Sequence, residues 1–156
     1  MSEHVGKLAW FGPRVGAGTY LLTMSAAVNV WCLVVLGLYY YGIAPNRISL
    51  PTVSYAIWVL GAVVALLFFY LSKRRFQDLN CPPIWANLMA FPLFGIVLLP
   101  ALCFVTPLRI ANRFGRPPLP SGKLKVAVAL ASFILALVLV QVVARLYAPL
   151  HVQSPY

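Results

Sequence analysis

Acidic side chains are nearly absent. Of 156 residues only Glu3 and Asp78 carry a carboxylate, against 12 lysines and arginines. No Asp or Glu falls inside a long apolar run, which disfavours a carboxylate proton relay or a cation-coupled transport path. Histidine is confined to His4 and His151, near the two ends of the sequence, so haem would lack an intramembrane histidine ligand. Met24 and Met89 are more simply packing residues than axial ligands. Cys32, Cys81 and Cys103 are odd in number and scattered, with no Cys-x-x-Cys pair. They indicate neither a disulfide framework nor a zinc site. No serine has a histidine in a nucleophile's register, and no glycine-rich phosphate loop occurs. No metal, no cofactor and no catalytic centre are expected.

What the chain has is apolar surface. It is 62% hydrophobic and 9% charged, where a soluble chain carries roughly 25% charged residues. Runs of about 20 apolar residues are long enough to cross about 30 Å of hydrocarbon. The net charge of +10 raises nucleic acid as a partner. The cations, however, gather at the ends of apolar runs, as the positive-inside rule describes, and not along one face. A membrane is expected, and no nucleic acid.

The pattern predicts an all-α membrane protein, a bundle of four transmembrane helices whose third member is interrupted by prolines. The spans fall at 19–41, 52–72, 84–106 and 126–147, within a transmembrane domain of 19–147. Residues 1–18 are basic, glycine-rich and aromatic, as in a segment lying on the membrane surface, the plainer alternative being a disordered leader whose four glycines weaken any helix. The first run is too long for a signal h-region and is expected to persist as a helix. Residues 148–156 form a short tail.

Within the first span Ser25 and Asn29 are four apart and share a face. They could make a helix–helix contact, and Ser25 bonding back to its own helix with Asn29 pairing within the bundle is favoured over a ligand site. Gly61 and Ala65 form a small-xxx-small pair in the second span, which lets a helix approach closely. The loop 42–51 has Arg47 as its one cation and reads as the non-cytoplasmic side. Asn80 is a plausible cap for the third helix, with Pro82 and Pro83 in its first turn.

The block Lys73-Arg74-Arg75-Phe76-Gln77-Asp78 interrupts this oily sequence. On a helix Asp78 can pair with Arg74 or Arg75. The plain reading is a headgroup anchor with an internal ion pair. The sharper one docks this block against the turn 112–118, or onto a partner, with Asp78 orienting an arginine towards backbone carbonyls. A topological conflict follows, because 73–75 and 109–125 are both cationic and flank the same run. Either the third run crosses fully and one basic loop breaks the positive-inside rule, or Pro92 and Pro100 fold it into a re-entrant hairpin. Twenty-three apolar residues favour the full crossing, with both termini cytoplasmic.

Arg74, Arg75, Phe76, Asp78 and Trp85 approximate an Arg-Arg-[Leu/Phe]-His-Asp…Trp block. Asn112, Arg113, Phe114, Gly115 and Pro118 match Asn-Arg-[Phe/Tyr]-Gly-x-x-Pro. Phe11, Gly12, Arg14 and Tyr20 approach a third, N-terminal signature. With these motifs the chain resembles the YhaH-like bacterial inner-membrane proteins, domain of unknown function 805, over roughly residues 10–120. Gln77 stands where that family has His, and Pro82-Pro83 where it has Ser-Gly. The resemblance implies a bacterial inner-membrane location and brings no known activity.

The expected role is a non-catalytic subunit or assembly factor of a larger membrane complex, a respiratory or photosynthetic assembly being an example. Partner or headgroup docking falls to Lys73, Arg74, Arg75, Asp78, Trp85, Asn112, Arg113, Phe114 and Gly115. Helix–helix contact falls to Ser25, Asn29, Gly61 and Ala65. Other membrane subunits, and anionic phospholipids at the basic loops, are the expected partners, with the N-terminus cytoplasmic. The alternatives are a small transporter or channel built on the broken third helix, and an anionic-lipid-binding protein.

Overall fold

A computed structural model of the chain describes residues 14–106, 111–115, 117–118 and 121–152. The stretch before Arg14, with Phe11 and Gly12, lies outside the described residues, as do Arg109, Arg116 and 153–156. Helix α1, Ala17–Leu38, starts after an extended Gly16, whose carbonyl accepts the Tyr20 N–H at 2.9 Å. It ends in a π-helical turn, Tyr39–Ile43. Helix α2, Leu50–Asp78, opens on Ser49 with Pro51 in its first turn, where a missing N–H costs nothing.

Helix α2 continues past Ser72 and carries the whole cationic block on its last two turns. Asn80, with φ of 60°, then terminates it. The Cys81 N–H reaches the Phe76 carbonyl at 2.9 Å and the Asn80 N–H reaches that of Gln77 at 3.1 Å, a Schellman closure. Asn80 therefore ends the second helix and does not cap the third.

The third apolar run divides. Pro83–Ala90 is a 3-10 helix, Phe91 is extended (φ −95°, ψ 118°), and α3 is Pro92–Phe104. A proline pushes the residue before it out of the helical region, which sets the break at Phe91. Pro100 stays inside α3. With 13 residues, α3 is about 20 Å long, well short of about 30 Å of hydrocarbon.

Contacts fix the directions. Tyr20 near the start of α1 meets Ser72 near the end of α2, so these two helices are antiparallel. Helix α4, Lys123–Val152, absorbs the start of the expected tail. It meets α1 in ascending order: Lys125 with Thr19, Ser132 with Asn29, Tyr147 with Val35. Helices α1 and α4 are thus parallel, and they form the most extensive helix pair. Their close approach begins at Gly18, where a Cβ would lie 2.6 Å from the Ser121 hydroxyl oxygen.

The expected single crossing of the third run is not borne out, because its two ends lie together. It leaves α2 at Asp78, and the end of α3 returns to Arg75 of the same helix through the Leu102 carbonyl. Both ends therefore sit at one end of the bundle. Among the described residues three helices are long and apolar enough to cross a membrane: Ala17–Ile43, Leu50–Asp78 and Lys123–Ala148. Helices of that kind suggest a membrane protein. Tyr20, Met24, Leu71, Phe76, Ala86 and Leu102 form a core cluster at the Asp78 end, and Cys32, Val35 and Val143 a second one further along α1.

Candidate functional site

The last turns of α2 place Arg75 and Asp78 three residues apart on one face, both fully buried. Ionised groups out of water cost several kcal/mol each unless paired and hydrogen-bonded, so each donor and acceptor must be accounted for. Asp78 takes Arg75 on one carboxylate oxygen. On the other it takes the Nε of Arg14, at 2.9 Å across 64 residues of chain. Arg14 is itself buried, and one aspartate lies between two arginines.

Backbone carbonyls absorb the remaining positive charge. Arg75 donates through Nε to Leu102 at 2.9 Å, and through its terminal nitrogens to Val15 and Val105. Leu102 lies in the last turn of α3 and Val105 caps it. Those carbonyls lack helical donors and form the negative end of the helix dipole, which a cation suits. Arg14 serves the end of α2 in the same way, donating to the Asp78 carbonyl at 3.1 Å, and it also reaches Gly115 at 3.2 Å.

The turn 112–115 completes the cluster. Asn112 and Gly115 exchange backbone hydrogen bonds of 3.1 and 3.0 Å, and the Asn112 side chain accepts the Phe114 N–H at 2.9 Å. Gly115 has φ of 121°, a conformation open to glycine. The Asn112 amide donates to the Gln77 carbonyl at 2.9 Å, and Arg113 to that of Asn80 at 3.3 Å. Beneath, Tyr20 is buried with its hydroxyl 2.8 Å from that of Ser72. The N-terminal segment, the end of α2, the end of α3 and the turn before α4 are thus tied at one point.

The sequence-picked residues divide. Arg75, Asp78, Asn112, Arg113 and Gly115 meet in this cluster. Phe114 sits in the same turn, with the Arg113 guanidinium 4.7 Å above its ring. Lys73 and Arg74 turn away and lie over Phe69 and Tyr70, each at 4.4 Å. Trp85 is half exposed on the 3-10 helix and takes no part. Ser25 donates back to Leu21 at 2.8 Å, while Asn29 crosses to Ser132 at 3.0 Å. At Gly61 an added Cβ would meet only Trp31, at 3.9 Å, and Ala65 is exposed. Among the described residues no close helix seam uses that pair.

Sequence reasoning did not assign the Arg14–Asp78 pair or the Tyr20–Ser72 bond. The available signal was scarcity, because a chain with so many cations and one acid outside its first residues must share that acid. Among the described residues no three of His, Cys, Asp and Glu gather as metal ligands would. Comparison with protein-family models, with curated proteins and with solved structures returned no match.

Proposed function

We propose that this chain is a non-catalytic integral membrane subunit, or an assembly or stabilising factor, of a larger membrane protein complex. The observation that carries this reading is the Arg14–Asp78–Arg75 cluster. Its charges are taken up by one another and by carbonyls at the ends of α2 and α3, so it fastens elements of the chain together. The faces left over are apolar and aromatic. In α2 the most apolar stretch is only 6% buried within the chain, against 28% for α1. Tyr55, Trp58 and Leu66 project from α2. Such a face suits another membrane subunit.

Three crossings with a re-entrant third run reconcile the charges. Arg14, Lys73, Arg74, Arg113, Lys123 and Lys125 then share the cytoplasmic face with the N-terminus, and Arg47 and Arg145 lie towards the other. On that topology the C-terminus is non-cytoplasmic. The motif resemblance supports a bacterial inner membrane, and the basic face suits anionic phospholipid headgroups. A solute path fits less well, because the Ser25 hydroxyl and the Asn29 amide nitrogen are already committed to carbonyl oxygens.

Isolation from native membranes in mild detergent, with quantification of every co-purifying chain, tests the proposal. A partner at fixed stoichiometry through two orthogonal separations is expected. A chain that runs alone at its own mass from those membranes would refute it.

A further inference from the structure

Between α3 and α4, floored by α1, lies an apolar cavity of about 160 Å³, open to one side. Met24 and Val28 line it from α1, Leu99 and Phe104 from α3, Phe133 and Leu137 from α4. Its polar rim is silent. The Tyr20 hydroxyl is bound to Ser72, and the Ser25 hydroxyl to Leu21 and Leu22. A water there would lack the two to four polar partners that hold one in place, so the slot calls for hydrocarbon.

Depth and charge identify which hydrocarbon. Along α1 the lining runs from Tyr20 to Val28, a rise of about 12 Å, against about 15 Å for one leaflet. The end of the slot at Tyr20 adjoins Thr19, whose hydroxyl receives the Lys125 ammonium at 2.7 Å. An ammonium has three donors, so Lys125 retains two for another acceptor. Asp78, the one acid at that end among the described residues, is fully buried and paired. We infer that this slot binds a segment of one acyl chain of an anionic phospholipid, whose phosphate is held by Lys125. The inference rests on the membrane topology proposed above and deepens it from a diffuse basic face to one lipid site.

The test uses the full chain purified from vesicles of equal phosphatidylglycerol and phosphatidylcholine, with retained lipid counted by native mass spectrometry. Lys125→Gln removes the headgroup contact, and Leu137→Trp fills the slot from a half-exposed position that the core does not need. Wild type should retain phosphatidylglycerol preferentially. Lys125→Gln should retain about fivefold less, the equivalent of about 1 kcal/mol per cation at a membrane surface, and Leu137→Trp should lower retention as well. Loss with Lys125→Gln but not with Leu137→Trp overturns the slot while leaving anionic lipid at the basic face intact. Equal retention of both lipids by wild type overturns the slot and the basic-face reading together. A second protein chain occupying the slot, seen by cross-linking from position 137, also overturns the inference.

Discussion

Arg75 donates through Nε to the Leu102 carbonyl at 2.9 Å, and this bond joins the end of α2 to the last turn of α3. The guanidinium fork serves Val105, Val15 and Asp78 at the same time. A lysine ammonium is a point charge on a flexible stem and cannot span that set. Arg75→Lys should therefore destabilise the chain nearly as much as Arg75→Leu. Thermal unfolding in detergent reads it, and a lysine variant that melts with wild type would contradict the bridging role.

Asp78 stands between two buried guanidinium groups. Asp78→Asn removes the shared carboxylate and leaves Arg75 buried without its counter-charge, which should cost roughly 3–5 kcal/mol. Arg14→Gln leaves the Arg75–Asp78 pair intact and should cost less. Combining the two substitutions should cost less than the sum, because either single change already breaks the Arg14–Asp78 bond. Additive losses in that cycle would show that the three groups do not act as a unit.

Gly18 and Ser121 meet where α1 approaches the start of α4. A Cβ at Gly18 would lie 2.6 Å from Oγ and 2.9 Å from Cβ of Ser121. Gly18→Ala should therefore destabilise by about 1–3 kcal/mol through overpacking. In a Ser121→Gly background the same change should become neutral or stabilising, since alanine is favoured over glycine in a helix by about 1 kcal/mol. Melting temperatures of the four proteins decide it, and an equal loss in both backgrounds would mean that the contact is not the cause.

Asn29 donates to Ser132 across the α1–α4 seam at 3.0 Å. Interhelical hydrogen bonds of this kind contribute about 0.6 kcal/mol on average and up to about 1.7. Asn29→Ala should fall in that range, and Ser132→Ala should cost less, because the Ser132 carbonyl still accepts. A denaturation series in mixed micelles would reveal the ranking.

Much of this architecture was legible in the residues. The long apolar runs marked three of the helices, with ends up to about six residues out, and of the two partners that spacing offered to Asp78, Arg74 or Arg75, it takes Arg75. The third run was not legible, because length alone favours a crossing while Pro92 only permits a break. Its direction was decided by Arg75 reaching Leu102 across 27 residues of sequence, a contact that no periodicity encodes. Arg14 was hidden for the same reason. Its partner is distant in the chain, and glycines around it resemble those of an unstructured leader. Of the pair expected at a helix–helix contact, Asn29 crosses to Ser132 of α4 and Ser25 bonds back to its own helix.

The central claim is that the two basic segments flanking the third run share one membrane face. In a variant lacking the three native cysteines, single cysteines at Pro82, Gly122 and Ser49 can be labelled in sealed vesicles with a membrane-impermeant maleimide. The account predicts that Pro82→Cys and Gly122→Cys react from the same side and Ser49→Cys from the opposite one. Labelling of Pro82→Cys and Gly122→Cys from opposite sides would contradict it.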